Sequence, residues 1–558
     1  MAELFRDTAF GKLVRLVTKN KSFQYPEEKD PSLWTRLIDE RKSGNLAHHG
    51  DTSPPEEGDE PEGLGGVRTR EEKDRTDSAD SSKTRVPSQD GVNQVSGVKV
   101  DPEKGKDVHL VSWYGPDDSE NPLNWSATKK FFVTAQICLF TTSVYIGSAI
   151  FTPGLENLSG IFGVSIRAAR LGLCLFVLSY GIGPMLWSPM SEIPQIGRNP
   201  VYLGTLVIFV ALQAPTALST NFGMFLAFRF ISGFFGSPVL ATGGASIADM
   251  YPPRKRAYAL TIWGLFNVCG PTLGPLVGGF AVQYAPVGFG GFTAPWTWPI
   301  WELMWLNAAC LVLLFFCLPE TSANNILTRR TMRLRKITGD DNLSCESELM
   351  SANMTVKDMA MISLFRPLIL TFTEPMVFLL NLYLALIYGL LYIWFNSFVI
   401  VFGEIYGFGL GIQGLTYLGL LIGAMVAVPP YFWYLRRYQE PKFDSNGNIE
   451  PEQRLIPAFV GVFCVPICLF WFGWSARPDV HWIMPIIGSA WFSAGAVLLF
   501  NAVLNYLPDA YPDYAASTLA SNEFIRSLFG KYKTPFYPYH LLFLANTPFR
   551  SRVPSFCY

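Results

Sequence analysis

The chain has 558 residues, a formal net charge of −1, 49% hydrophobic residues and only 16% charged ones. So apolar and nearly neutral a chain has no global charge with which to grip nucleic acid. Its nine cysteines lie mostly in apolar runs (Cys138, Cys174, Cys310, Cys464) without a C-x-x-C pair, so they read as small core residues, with no metal and no disulfide framework.

In chain order, residues 1–42 carry a few spaced apolar positions (Phe5, Leu13, Leu16, Trp34, Leu37) that fit a short amphipathic helix. Residues 43–107, with PPEEGDEPEGLGG and TREEKDRTDSADSSKTR, hold too few aliphatics and aromatics to bury a core and are expected to be disordered. Residues 1–30 lack the apolar h-region of a signal peptide, so the first span is expected to insert as its own signal. A bilayer core takes roughly 20 apolar residues as helix. Six such runs follow, near 130–152, 167–190, 200–218, 222–247, 257–283 and 299–318. After a polar interval from Glu320 to about Arg366, four more lie near 368–400, 409–434, 455–475 and 481–507.

Basic residues mark alternate loops: Lys129 and Lys130, Arg198, Arg254 to Arg256, Arg329 to Lys336, and Arg436 and Arg437. The positive-inside rule then predicts a cytoplasmic N-terminus and a cytoplasmic central loop, with Arg167 and Arg170 as exceptions. Trp296, Trp298, Trp301, Trp474 and Trp482 fit an outer aromatic belt.

Gly270, Gly274 and Gly278 recur every four residues in GLFNVCGPTLGPLVGGF, a stripe without Cβ atoms along which a second helix can approach closely. Pro271 and Pro275 share that segment, which a membrane helix tolerates where neighbours satisfy the freed carbonyls. The stripe, with Gly279, reads either as a moving seal or as static small-residue packing. The two halves of the chain also echo one another: IADMYPPRKRAYALTIWGLF (247–266) matches LPDAYPDYAASTLASNEF (507–524) around Asp249/Tyr251/Pro252 and Asp509/Tyr511/Pro512. Such a repeat implies two six-helix bundles around a central cavity.

Several stretches carry a family resemblance: PDDSENPLNWS (116–126), WSPMSEIPQIGR (187–198), LAFRFISGFFGSP (226–238), GPTLGPLVGG (270–279), LPETSANNIL with RLRK (318–336) and LYLALIYGLLYIWFNSF (382–398). On these motifs the chain resembles the major facilitator superfamily, and within it the fungal twelve-span drug:proton antiporters of multidrug resistance, over about residues 113–529. Glu192 stands where the usual pattern of the loop between spans two and three has Asp. The resemblance implies an all-α polytopic membrane fold of two pseudo-symmetric six-helix bundles, and GPTLGPLVGG matches its antiporter motif.

The resemblance also implies a proton-coupling role for Arg229, inside the fourth span. A charge in hydrocarbon costs roughly 2.5–3.5 kcal/mol and needs a partner or water, so snorkelling or a link to helix carbonyls is the rival reading. Glu374, just before Pro375 at the start of span seven, reads as a second proton-coupling candidate or as a cap at the interface. Glu302 and Glu523 are further acidic candidates. Ser191, Glu192, Gly197 and Arg198 read as a cytoplasmic latch, with Glu192 binding Arg198 or a neighbouring helix end, or as a solvated turn. Asn267, Asn381, Tyr383, Tyr392 and Asn505 are candidate cavity residues, beside Tyr388, Phe395, Asn396 and Asn501. Large apolar surfaces with few polar points suit bulky amphipathic cargo.

After Asp513 an eleventh span is expected through ASTLASNEFIRSLFG. From Gly530 the text becomes KYKTPFYPYHLLFLANTPFRSRVPSFCY, whose one apolar run, HLLFLA, is too short to span. The expectation is a second bundle truncated after its eleventh helix, with a tail from about residue 531 foreign to the ancestral protein. The expected organisation is a tail over 1–112, a first bundle over 113–318, a central loop over 319–366, a second bundle over 367–529 and an aberrant tail over 530–558. No P-loop, HExxH or nucleophile elbow is present, so no enzyme and no cofactor are expected. The expected function is proton-driven export of bulky hydrophobic drugs or toxins by alternating access, from a monomer in the plasma membrane. The rivals are a transport-dead truncated membrane protein and a polyamine or nutrient:proton transporter of the same fold.

Overall fold

A computed structural model of the chain describes residues 5–30, 34, 99, 100, 107–285, 294–352, 361, 365–444, 449–511 and 515–533. Most of the stretch expected to be disordered, and the tail beyond Lys533 with any twelfth span, lie outside the described residues. The chain divides into two compact units, Gln24–Leu110 with Leu334–Leu343 as the smaller and the rest as the larger. In the smaller unit, Lys99–Val100 pairs antiparallel with Asp107–Leu110, and Arg335 donates to the Leu343 carbonyl at 2.7 Å.

The larger unit is helical, and its described residues include ten helices long and apolar enough to cross a membrane. Spans 1 to 6 are built on Ala127–Ala149, Leu171–Glu192, Arg198–Ala217, Phe222–Gly236 continued by Pro238–Met250, Pro253–Gln283, and Trp298–Cys317. Spans 7 to 10 are built on Pro375–Phe398, Leu410–Thr416 continued by Leu418–Tyr434, Ile456–Ser475, and Ile483–Ala510. The expected eleventh helix is present as Ala515–Lys533. The loops that open the odd-numbered spans share one face, the basic face, with the N-terminal segment.

Local chemistry sets the ends. Ser126 accepts the Lys129 N–H at 3.3 Å to start span 1, and Asn221 accepts that of Met224 at 2.8 Å to start span 4. Internal prolines persist in spans 2, 3, 5, 8, 9 and 10 (Pro184, Pro215, Pro271, Pro429, Pro466 and Pro508 among them). The run near 368–400 is two helices, Arg366–Thr373 and then Pro375–Phe398. Glu374 between them is extended, because the Pro375 ring disfavours helical backbone at the residue before it.

The glycine stripe is contact surface. A methyl on Gly270 would overlap Tyr145 of span 1, and one on Gly278 would overlap the Ile150 carbonyl just beyond span 1. Spans 1 and 5 therefore meet backbone to backbone. Gly279 faces the other way, against Leu410 at the start of span 8. The buried apolar side chains form two main cores. One is built from spans 1 to 6 around Phe140, Phe176 and Phe209; the other, from spans 7 to 10, surrounds Phe398, Phe472 and Phe492. Tyr388 and Tyr392 of span 7 belong to the first, so the halves interlock there.

Candidate functional site

Span 11 brings the only two charged side chains of its middle into contact with both halves. Gly181 of span 2 lies against Ser527, so closely that a methyl would overlap its hydroxyl. That approach carries Glu523 and Arg526, three residues apart on one helix face, to the centre. Both are buried, and they form an ion pair. Arg526 Nη2 also lies 3.5 Å from the Tyr145 hydroxyl of span 1. Its guanidinium lies 4.9 Å from the Tyr388 ring and 5.2 Å from the Phe500 ring. The Tyr180 hydroxyl of span 2 bonds those of Tyr388 and Tyr392, the latter at 3.0 Å. Along span 11, Asn381 Nδ2 donates to Ser521 Oγ at 3.0 Å and Asn522 Nδ2 to Asn381 Oδ1 at 2.8 Å.

Taking two charges out of water costs several kcal/mol per ion, and one ion pair recovers that only with good further partners. Those partners are incomplete here. Glu523 Oε1 and Arg526 Nε have no hydrogen-bond partner among the described residues. The neighbours of this buried pair come from both bundles, Tyr145 from span 1 and Tyr388 from span 7.

Of the residues singled out in the sequence, Asn381, Tyr388 and Tyr392 lie in this cluster and Glu523 is its acid. Arg526, Tyr145 and Tyr180 were not anticipated. The available signal is two opposite charges three residues apart in the middle of a helix otherwise charged only at its end, obscured because NEFIRS borders the stretch read as aberrant. Tyr383 packs against the second core instead. Asn505 Nδ2 donates to the Asn501 carbonyl at 2.7 Å, and Thr261 of span 5 donates to Asn501 Oδ1 at 3.2 Å. Asn267 is half-buried and its Oδ1 has no partner among the described residues.

Arg229 is fully buried in the first bundle, away from any carboxylate among the described residues that could pair with it. It donates to the carbonyls of Gly147 at 2.8 Å and Gly172 at 3.4 Å. Its guanidinium sits between the rings of Phe151 and Phe176, 4.3 and 4.4 Å from their centres. Of the readings open in the sequence, this is the geometry of the link to helix carbonyls. Glu374 is partly exposed at the basic face; it makes no capping bond with its side chain and accepts from the Tyr511 hydroxyl at 3.3 Å. Glu302 lines a groove with Phe280, Tyr284 and Trp298 at the opposite face.

The latch has different partners from those expected. Glu192 is exposed and within electrostatic reach of Arg198 without a hydrogen bond to it, while Arg198 Nε pairs with Asp249 at 2.8 Å. The helix end of span 3 is taken by Glu320 of the LPET segment, which accepts from Arg198 N at 3.0 Å and Asn199 N at 3.2 Å. Glu192 closes span 2, and the turn after it runs through Gly197, whose φ of +80 and contact with Glu320 and Asn325 require glycine. Ser191 is buried and donates to the Ser188 carbonyl at 2.6 Å. The second half repeats the charge pair: Arg454 Nε meets Asp509 at 2.8 Å. Lys255 pairs with Glu440 at 2.8 Å and Arg254 donates to the Asp444 carbonyl at 3.0 Å, joining the halves at the basic face. At the opposite face Gln283 accepts the Gly411 N–H at 2.8 Å.

Beside the basic face, Arg330 is buried between Asp118 at 2.8 Å and Glu120 at 2.9 Å. Burial alone would raise the Asp118 carboxyl, but the Arg330 hydrogen bond and charge, with the N–H groups of Glu120 and Tyr114, hold it below the usual aspartate range. The PDDSENPLNWS stretch is thereby fastened to the central loop.

The model of the Major Facilitator Superfamily matches residues 137–530. The chain is 44% identical over 419 residues to "Transporter mfs1" of Schizosaccharomyces pombe, covering 75% of this chain and 77% of that protein. It is 38% identical over 455 residues to the cycloheximide resistance protein of Candida maltosa, covering 80% and 81%. Fluconazole resistance protein 1 of Saccharomyces cerevisiae is 40% identical over 423 residues, covering 76% and 75%. Among solved structures, the proton:xylose symporter XylE bound to 6-bromo-6-deoxy-D-glucose aligns with a TM-score of 0.51 at 14% identity, covering 75% of this chain and 91% of that one, a likeness of fold alone. With the repeat and the two interlocked bundles already established, the chain is a multi-pass membrane protein of the Major Facilitator Superfamily, in its fungal drug-resistance family.

Proposed function

We propose that the chain exports bulky, mostly apolar drugs or toxins in exchange for protons by alternating access. The observation that carries this reading is the buried Glu523–Arg526 pair held in a ring of aromatics drawn from both halves. Proton and guanidinium compete for one carboxylate. A proton arriving on Glu523 dissolves the ion pair and frees Arg526, and its departure restores the pair. The same event loosens or tightens the contacts of Tyr145, Tyr388 and Phe500, so proton occupancy and bundle position are linked. Apolar cargo suits this lining, and a polycation would find a single carboxylate there, which favours drugs over polyamines. The resistance named for the Candida maltosa and Saccharomyces cerevisiae relatives supports the direction of transport. In this reading the basic face is cytoplasmic, by the positive-inside rule, the membrane is the plasma membrane and the protein works as a monomer.

The test is transport by purified protein in vesicles, with a fluorescent apolar dye and an imposed proton gradient. Wild type is expected to move dye against its gradient only while the proton gradient lasts. Glu523→Gln is expected to bind dye and exchange it passively while losing gradient-driven accumulation. Wild-type rates in that variant would remove Glu523 from coupling. Wild-type protein indistinguishable from empty vesicles would overturn the exporter reading and favour the transport-dead one.

A further inference from the structure

We propose that the N-terminal helix Ala9–Val17 is an interfacial anchor, which lays its apolar edge into the leaflet of the basic face and holds anionic headgroups with the lysines that follow it. The helix is inverted relative to a surface helix of a soluble protein. Gly11 and Arg15 are buried, whereas Leu13, Leu16 and Val17 are 51%, 81% and 72% exposed. Water on three large aliphatics along one edge of a nine-residue helix is unfavourable, and short helices in water are marginal without burial of their apolar side.

Three observations point to lipid as the occupant. First, the helix is fixed at the end of a membrane span. Thr8 caps it by accepting the Gly11 N–H at 3.1 Å and bridges to Pro319, just past span 6. Phe10 packs on Phe316 and Phe315 with ring centres 4.9 and 6.4 Å away. Second, the span on which the helix packs has an apolar outer surface, where Val312 and Phe316 are also exposed. Third, the charge is one-sided. From Thr8 to Lys21 the chain carries Lys12, Arg15, Lys19 and Lys21 and no acid. Lys19 and Lys21 are exposed in the turn where Lys19, Asn20 and Phe23 adopt positive φ, and Arg15 holds that turn by donating to the Phe23 carbonyl at 2.6 Å. An apolar edge flanked by exposed lysines is the pattern of a helix lying in a headgroup plane, and basic groups at an anionic surface add attraction.

The test uses the full-length protein in phosphatidylcholine vesicles, with and without phosphatidylserine. Spin labels are placed at Leu16→Cys and, as a second site, Val17→Cys, with unsubstituted protein giving the background. Glu450→Cys, exposed in the loop before span 9, serves as a water reference and Val426→Cys, on the outer surface of span 8, as a lipid reference. Labels at residues 16 and 17 are expected to collide with oxygen in preference to a water-soluble nickel chelate, as at residue 426. Lys19→Glu with Lys21→Glu is expected to shift residue 16 towards the chelate in phosphatidylserine vesicles and to leave it unchanged in phosphatidylcholine alone. Chelate-preferring labels at both positions would show a water-exposed edge and overturn the proposal. Labels shielded from both reagents would show a protein cover, from a second copy or another segment of this chain, and overturn it equally.

Discussion

Arg229 invites a coupling role by its position and a structural one by its contacts. Two carbonyl bonds to spans 1 and 2 and a place between two phenyl rings make it a staple of the first bundle. Arg229→Ala empties a large buried site and is expected to destabilise the protein by roughly 2–5 kcal/mol. Arg229→Lys keeps the charge but loses the planar fork, and is expected to fall between Ala and wild type. Thermal unfolding of the purified variants checks this, with transport measured on the folded fraction. A variant that melts like wild type yet has lost transport would give Arg229 a part in coupling beyond its packing. The sequence made the buried charge legible but not its partners, because backbone carbonyls carry no signature in a sequence. Glu192 illustrates the same limit: its loop was recognised, but the acids that serve Arg198 and the helix end lie 51 and 122 residues further on.

The glycine stripe is legible in the sequence, because a period of four in glycines survives any detail of packing. The neighbour was not legible, since a stripe defines a face and not what covers it. Gly279 turned out to serve a second neighbour, span 8. The contact at Gly278 is with a main-chain carbonyl, which cannot swing aside as a side chain can. Gly278→Ala is therefore expected to force spans 1 and 5 apart and cost about 1–3 kcal/mol, the range for overpacking a tight site. Gly204 in span 3 has no atom within 4 Å of where its Cβ would be, so Gly204→Ala is the control, neutral or slightly stabilising. Equal melting temperatures for Gly278→Ala and Gly204→Ala would contradict the backbone contact. Span 7 shows the converse error: hydropathy ran 368–400 together, and only the backbone restriction imposed by Pro375 separates the short helix from the span.

At the scale of the molecule, the repeat seen in D-x-Y-P predicted two related halves, and the paired charges give that repeat a physical content. Asp249 and Asp509 close the last turns of spans 4 and 10, and each meets an arginine at the start of the preceding odd span, at 2.8 Å in both halves. The second arginine was missed because GRNP and QRLIP differ in spacing from arginine to proline. Arg256 lies within electrostatic reach of both aspartates, so the pairs share a charge between them. Both then favour the arrangement in which Lys255 of the first half meets Glu440 of the second. Cysteines at residues 255 and 440 report that arrangement by the rate of disulfide formation. Asp249→Asn and Asp509→Asn are each expected to slow it several-fold, a tenfold change corresponding to about 1.4 kcal/mol. Because Arg256 is common to both, the double variant is expected to fall short of the product of the single effects, as coupled neighbours do. Independent sites would multiply instead. Slowing by Asp249→Asn with none by Asp509→Asn would mean that the repeat preserves a geometry in the second half without its function.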